Sequence, residues 1–150
     1  MMGLCLRYTK SEEDAKLVLN TGFFKVFKHI QKFDPAKATL YTWIRSIIVN
    51  SCLDHIKSKQ NSLVTDELHE AEVIHIEPEI SSRMKAAEIL HLIKNLPPAT
   101  QAVFNLFVIE GYGHKEIATL LNISEGTSKW HLSEARKNLK QQLENKTFSE

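Results

Sequence analysis

The fold is decided near the C-terminus by residues 114–140, which read HKEIATLLNISEGTSKWHLSEARKNLK. The pattern predicts a short helix over residues 115–121, and then a turn in which Asn122 takes the left-handed conformation. A longer helix follows, with Ser124 as its cap and its end near Leu143. A short helix, a tight turn and a longer basic helix are typical of a helix-turn-helix, which places its second helix in the major groove of DNA.

A helical wheel divides the second helix of this motif into an inner and an outer side. Leu132, Ala135 and Leu139 face the core, and Ser124 marks an N-terminus whose free N–H groups suit a phosphate. Four outward residues are placed to meet base edges: Thr127, Lys129, Trp130 and Ser133. Three more suit backbone phosphates: Arg136, Lys137 and Lys140. An ordinary solvated surface is the alternative for the basic residues, but the complete pattern favours DNA contact.

Two further helices are predicted before this motif, over residues 84–95 and 99–110. Pro97-Pro98 separates them, because proline breaks one helix and is well tolerated at the start of the next. Apolar residues at helical spacing predict their buried faces: Ala86, Ile89, Leu90, Ile93, Val103, Leu106 and Phe107.

The N-terminal half begins its first long helix at Ser11, because Ser11-Glu12-Glu13-Asp14 has the spacing of a capping box. Pro35 ends this helix. Its predicted core stripe follows helical spacing: Ala15, Val18, Leu19, Gly22, Phe23, Val26, Phe27 and Ile30. Leu17 and Phe24 lie on a second face, where they suit a partner-docking surface, although scattered exposed apolar residues are also normal.

A second long helix is predicted from Thr39 as its cap to about Lys59. Its apolar positions repeat at helical spacing: Leu40, Trp43, Ile44, Ile47, Ile48 and Ser51. Its first turns also carry side chains that can stack on unpaired bases or hydrogen-bond to them: Tyr41, Trp43, Arg45 and Asn50. Trp43 fits a core position equally well.

Charge divides the chain into three parts. Residues 1–60 carry ten Lys or Arg against five Asp or Glu, and residues 83–150 carry nine against seven. Residues 61–82 carry six acidic residues and no Lys or Arg. Two basic blocks facing an anionic partner would explain this pattern, and chance variation in solvated faces is the alternative. The sequence therefore predicts an all-α protein with helical domains at 1–59 and 83–145 and an acidic linker at 60–82.

Several classes of protein are disfavoured by composition. No apolar run approaches the length that spans a bilayer, so membrane insertion is not expected. Cys5 and Cys52 match no metal or redox spacing. The seven histidines are dispersed, and the one group at helical spacing, His69, Glu72 and His75, lies in the predicted linker and is interpreted as surface residues. We expect no metal, no cofactor and no catalytic site.

Motifs in both halves resemble bacterial RNA polymerase sigma factors of the sigma-70 family, in their two-domain extracytoplasmic-function type. The C-terminal matches are Gly111-Tyr112, Ile117-Ala118, residues 121–127 and Ala135-Arg136. The N-terminal matches are Glu13-Asp14-Ala15, residues 22–27, Phe33-Asp34-Pro35, Trp43-Ile44 and Asn50. The resemblance covers nearly the whole chain in the right order, although the first helix, over residues 1–9, is shorter than is usual in related proteins.

The resemblance implies a division of labour. The C-terminal domain would read the −35 promoter element as duplex, and the N-terminal domain would hold a flipped base of the −10 element through Tyr41, Trp43, Arg45 and Asn50. Docking on core RNA polymerase would use one helix face: Leu17, Asn20, Thr21 and Phe24. An anti-sigma factor would restrain the protein, which would act in the cytoplasm.

Two other functions compete with this interpretation. A sigma-mimicking adaptor would sequester an anti-sigma factor without binding DNA, but it would not need the basic residues of the last helix. An ordinary helix-turn-helix regulator would leave Phe33-Asp34-Pro35 and the aromatic-rich second helix unexplained.

Overall fold

The computed structural model describes residues 1–62 and 82–147, which form helices without strands. The first lobe, residues 1–62, contains α1 (Met2–Tyr8), α2 (Glu12–His29), a 3-10 turn (Ile30–Lys32) and α3 (Leu40–Ser62). The second lobe, residues 82–147, contains α4 (Ser82–Lys94), α5 (Pro98–Phe104), α6 (His114–Leu121) and α7 (Glu125–Thr147). A π-helical turn, Asn105–Ile109, continues α5. This all-α architecture confirms the predicted fold class.

Side-chain caps fix the helix starts that the sequence predicted. Ser11 Oγ accepts a hydrogen bond from the Asp14 N–H at 3.1 Å, at the start of α2. Thr39 Oγ1 accepts one from the Thr42 N–H at 3.2 Å, at the start of α3. Each bond satisfies a backbone donor that the first turn of a helix leaves without a partner. These local signals therefore place α2 and α3 within a residue of their predicted starts.

The first lobe is held together by the packing of α2 on α3, with α1 across both. The face that α2 buries is narrow and consists of Ala15, Val18, Gly22 and Val26. The facing residues of α3 are Ile48, Val49, Cys52 and Leu53. At Gly22 the two helices approach so closely that a Cβ atom would collide with Cδ1 of Ile48. A larger residue at this position would therefore require the Ile48 side chain to shift.

A testable consequence concerns Gly22. We expect Gly22→Ala to lower the free energy of unfolding by about 1 kcal/mol, because overpacking costs more than the helix propensity of alanine returns. Ile48→Val removes the Cδ1 atom in question, so the double variant is expected to recover that loss in a double-mutant cycle. Urea denaturation of the parent chain, the two single variants and the double variant measures the four free energies of unfolding. Additive effects of the two substitutions on that free energy would contradict the proposed contact.

Three residues that the sequence assigned to buried faces are exposed, Phe27, Ile30 and Ile89, and so is Leu40 of the apolar stripe of α3. Phe27 is the clearest case, with 75% of its surface accessible. Helical spacing identifies the apolar side of each helix, but it does not tell how much of that side the neighbouring elements cover. On α2 the buried face ends before Phe27. Among the side chains of α4 whose burial is described, Leu92 and Ile93 in the last turn are buried, and so is Leu96, two residues beyond the end of the helix.

The second lobe is built on α7. Its buried positions, Ser128, Leu132 and Ala135, lie on the inner side that the wheel predicted, and α5 and α6 pack against it. The sequence predicted one helix over residues 99–110, but the structure replaces its last part with the π-helical turn, in which the Glu110 N–H donates to the Asn105 carbonyl at 2.9 Å. This turn changes the direction of the side chains that follow α5.

The two lobes share one continuous apolar core, which the sequence did not predict. Residues from α1 and α3, such as Leu4 and Ile48, belong to the same buried cluster as Leu106, Ile117 and Leu132 of the second lobe. Each lobe is small, so pooling apolar surface increases the fraction that both bury. The surface along which the lobes meet is called the interlobe seam below.

Two further observations bear on the predicted class of protein. Within residues 1–62 and 82–147, no helix has the length and apolar character that crossing a membrane requires. Most of the predicted acidic linker lies outside the described residues, and so does the group formed by His69, Glu72 and His75.

Candidate nucleic-acid interface

The turn between α6 and α7 has the geometry of a helix-turn-helix. Asn122 closes α6 in the left-handed conformation, with φ 56° and ψ 49°, and the Ile123 N–H donates to the Ala118 carbonyl at 3.0 Å. Ser124 Oγ then accepts from the Thr127 N–H at 2.9 Å and caps α7. The left-handed residue and the cap together set the angle at which α7 leaves the turn.

Polar contacts on the inner side fix the rotation of α7. Buried Ser128 Oγ pairs with His114 Nδ1 at 2.9 Å, and His131 Nδ1 pairs with Thr100 Oγ1 at 3.0 Å. The His114 ring also stacks on Phe107, with 4.5 Å between ring centroids. Burial lowers the pKa of His131, which favours its neutral form. Since these contacts hold the inner side, the opposite side of α7 has a defined orientation.

That opposite side presents the residues that the sequence assigned to duplex DNA, and it is exposed along its whole length: Thr127, Lys129, Trp130, Ser133, Arg136, Lys137 and Lys140. Trp130 has 58% of its surface accessible although it is large and apolar. Ser124, also exposed, bonds Thr127 through its hydroxyl at 2.8 Å at the helix start. The face is therefore basic, accessible and headed by a helix N-terminus.

The four residues assigned to unpaired bases lie on α3 in two groups. Trp43 and Asn50 are two turns apart and share one face, where Trp43 packs on Phe33 with ring centroids 5.5 Å apart and Asn50 Nδ2 donates to the Ser46 carbonyl. Tyr41 and Arg45 are one turn apart on another face, and Arg45 Nη1 lies 3.4 Å from the Tyr41 hydroxyl. Trp43 is half-buried. This position is compatible with both roles that the sequence left open, packing in the core and stacking on an unpaired base.

The face of α2 assigned to polymerase is exposed at each predicted position: Leu17, Asn20, Thr21 and Phe24. Thr21 Oγ1 donates to the Leu17 carbonyl at 2.9 Å, so its polar group is satisfied within the helix. Exposed Phe27, which helical spacing had assigned to the core, lies one turn after Phe24 and extends this apolar surface. Nothing in the sequence distinguished Phe27 from the buried members of the stripe.

Arg45 is placed differently from its three companions, because it reaches across the interlobe seam. Its Nε donates to Glu110 Oε2 at 2.7 Å, and its Nη2 forms an ion pair with the same oxygen at 2.6 Å. The hydrogen bond that Arg45 donates to Glu110 raises the pKa of Arg45. Glu110 was not predicted as a functional residue. The single available signal was an acidic residue directly after the apolar stretch LFVI, residues 106–109. That signal does not identify a partner sixty-five positions away.

Comparison with known proteins gives two family matches. The family model for sigma-70 region 2 matches residues 1–62, and the model for sigma-70 region 4 matches residues 86–139. The two matches lie in the order expected from the sequence. Together they cover more than half of the chain, and they coincide with the first lobe and most of the second.

Curated relatives and solved structures agree with these matches. The RNA polymerase sigma-H factor of Pseudomonas aeruginosa is 22% identical, over 96% of this chain and 80% of that protein. The ECF RNA polymerase sigma factor SigE of Mycolicibacterium smegmatis is 25% identical over 93% of this chain, which spans 56% of that protein.

Among solved structures, the sigma factor RpoE bound to the anti-sigma factor NepR, from Bartonella quintana, has a TM-score of 0.66 and 15% identity, covering 95% of this chain and 89% of that one. CnrH in complex with the cytosolic domain of CnrY has a TM-score of 0.54 and 19% identity, covering 95% and 82%. At these identities the structures bear on the fold alone. With regions 2 and 4 both matched, the chain belongs to the sigma-70 family, in its two-region extracytoplasmic-function type, and is an alternative sigma factor for transcription initiation.

Proposed function

We propose that this chain binds core RNA polymerase through α2, reads the −35 element with the outer face of α7 and holds the melted −10 element against α3. The observation that supports this most directly is the outer face of α7, which is basic and exposed while its inner face is fixed by buried contacts. A protein that only imitated a sigma factor would have no use for that face. Catalysis belongs to the polymerase, so the chain needs no catalytic residue.

The α2 face supports docking on a protein. Exposed Leu17, Phe24 and Phe27 give it an apolar surface, with polar Asn20 and Thr21 between them. Large exposed apolar groups on one side of a helix are typical of interaction sites. The polymerase lies in the cytoplasm of a bacterium, so we place the action of this chain there.

An anti-sigma factor is the second proposed protein partner. The two solved structures described above are complexes, one with the anti-sigma factor NepR and one with the cytosolic domain of CnrY. We propose that a protein of the anti-sigma class restrains this chain and competes with polymerase for it.

The function is tested by run-off transcription with core RNA polymerase, this chain and a library of genomic fragments from the same bacterium. We expect discrete transcripts that require the chain, and sequencing their starts gives the promoter elements. A chain that binds polymerase without producing transcripts would support a sigma-mimicking adaptor. A chain that binds duplex DNA but does not shift core polymerase in a gel would support an ordinary regulator.

Promoter melting gives a separate prediction for α3. We expect Asn50→Ala to reduce the opening of the −10 element severalfold while closed-complex formation is unchanged, because an exposed amide that bonds an unpaired base is lost. Trp43→Ala is expected to do the same and also to lower stability, since it loses its contact with Phe33. Permanganate footprinting of unpaired thymines measures opening. A normal footprint in Asn50→Ala would remove that residue from the melting surface.

A further inference from the structure

Trp130 is a large apolar residue in the middle of a basic, exposed face. It is the sixth residue of α7, which begins at Glu125, and 58% of its surface is accessible. An α-helix rises about 1.5 Å per residue, so Trp130 lies roughly 8 Å from the start of the helix. The N-terminal residues of a recognition helix are the ones that contact base edges in the major groove. Trp130 therefore lies in the part of α7 that is suited to reading bases.

The indole of Trp130 is held against the imidazole ring of the next residue. The ring centroids of Trp130 and His131 are 4.9 Å apart, with 70° between the ring planes, and aromatic pairs favour this edge-to-face arrangement. His131 is itself fixed, because its Nδ1 pairs with Oγ1 of buried Thr100 on α5 at 3.0 Å. These contacts restrict the indole before any partner binds, so less conformational entropy is lost on binding.

The other side chains in the first turns of α7 differ from Trp130 in chemistry. Thr127 Oγ1 bonds to Oγ of the capping residue Ser124 at 2.8 Å, so its hydroxyl is engaged at the helix start. Lys129 and Ser133 are exposed and can form hydrogen bonds with base edges or phosphates. The indole has a single N–H donor and no acceptor. Trp130 therefore offers mainly flat apolar surface to the partner of this face.

The charges around Trp130 favour DNA over a protein as that partner. Between residues 126 and 140 the exposed charged residues are basic, whereas Glu134 is half-buried. The basic residues are Lys129, Arg136, Lys137 and Lys140. The centre of a protein interface is typically depleted of charged residues, but a polyanion is attracted to several positive charges on one face.

The major groove of DNA contains one group that matches the indole well. Base edges there present nitrogen and oxygen donors and acceptors, and the prominent apolar group is the C5-methyl of thymine. An indole ring packed over donors and acceptors would displace their water without replacing its hydrogen bonds, which costs free energy. An indole ring packed on a methyl group buries apolar surface on both sides. The chemistry of the groove therefore favours a thymine opposite Trp130.

We propose that Trp130 is a specificity-determining residue that packs on the C5-methyl group of a thymine in the −35 element. The proposal rests on the proposed function, since it requires α7 to enter the major groove of that element. The basic residues of the face attract DNA of any sequence, whereas Trp130 discriminates between sequences. Its preference covers one or two adjacent base pairs, because a single indole ring reaches no further.

The methyl group can be removed from DNA without any other change, because uracil differs from thymine only at C5. A promoter obtained with the parent chain by run-off transcription is prepared with each −35 thymine replaced in turn by uracil. Binding of the holoenzyme to each duplex is measured by competition. Loss of one buried methyl group corresponds to about fourfold weaker binding. We expect that loss at one or two adjacent base pairs for the parent, and at none of them for Trp130→Ala.

The reverse change and two further variants show which property of the indole matters. With cytosine in place of the sensitive thymine, 5-methylation of that cytosine should strengthen binding by the parent but not by Trp130→Ala. Trp130→Phe keeps an apolar ring and loses the N–H, so it should retain most of the discrimination against uracil. Val108→Ala removes apolar surface from an exposed position of the same lobe outside α7, and it should discriminate as the parent does.

The outcomes separate this proposal from the proposed function. Equal binding of thymine and uracil by a parent holoenzyme that depends on the −35 sequence would overturn this proposal alone. Discrimination that persists in Trp130→Ala would overturn it as well, since another residue would then contact the methyl group. If Trp130→Ala kept its discrimination and lost core polymerase, the residue would be assigned to a protein partner instead. A parent holoenzyme indifferent to the −35 sequence would refute the proposed function, and this proposal with it.

Discussion

Replacing Lys129 and Arg136 together by alanine is expected to reduce −35-dependent transcription at least about tenfold while binding to core polymerase stays unchanged. Both side chains lie on the exposed outer face of α7, and each lost contact to a base edge or a phosphate weakens DNA binding by about 1–3 kcal/mol. The substitutions leave the buried inner face intact, so the fold should persist.

The measurement is run-off transcription from a promoter obtained with the parent chain, together with a gel shift of core polymerase. Lys94→Ala is the control for lost positive charge, since it removes one charge from α4 of the same lobe, whereas the test variant removes two from α7. Normal transcription by the Lys129→Ala/Arg136→Ala variant would show that α7 does not contact the promoter through this face. A parallel loss of polymerase binding would show that the face serves a protein partner.

Leu106→Ala is expected to have the largest effect on stability, about 3 kcal/mol. Leu106 is fully buried in the π-helical turn and belongs to the core cluster that both lobes share. Alanine would leave a cavity that neighbours from two lobes cannot fill. Because the core is continuous, the parent chain should unfold in a single transition, and the variant should keep that single transition at a lower midpoint.

Urea denaturation followed by circular dichroism and by tryptophan fluorescence tests this expectation. Trp43 reports on the first lobe and Trp130 on the second, so coincident curves indicate one cooperative unit. Val108→Ala, at an exposed position of the same turn, should change stability by less than about 0.5 kcal/mol. Two separate transitions in the parent chain would contradict the shared core.

The helix-turn-helix could be predicted from the sequence because its signals are local. Asn122 takes a left-handed conformation that few residues accept, and Ser124 caps the helix two residues later. The predicted starts of α6 and α7 and the predicted position of the turn therefore lie within a residue of the observed ones. The exposed face of α7 followed from helical spacing once the helix was placed. The same holds for the exposed residues of α2 that lie off the apolar stripe.

The interlobe seam could not be predicted, because it depends on contacts between distant residues. Helical spacing extended the helix through residue 110, whereas tertiary packing favours the π-helical turn that directs Glu110 toward Arg7 and Arg45. For the same reason Arg45 was assigned to DNA alone. Spacing also cannot tell how much of an apolar stripe its neighbours cover, which is why Phe27 was assigned to the core.

The proposed function requires both lobes to act on one promoter, and footprinting of the holoenzyme tests this most directly. Core polymerase with the parent chain, on a promoter from the library, is probed by hydroxyl radical for protection and by permanganate for unpaired thymines. We predict protection at the −35 element that Lys129→Ala/Arg136→Ala abolishes, and thymine reactivity at the −10 element that Asn50→Ala reduces. Protection equal to that of core polymerase alone, with no chain-dependent opening, would contradict the account.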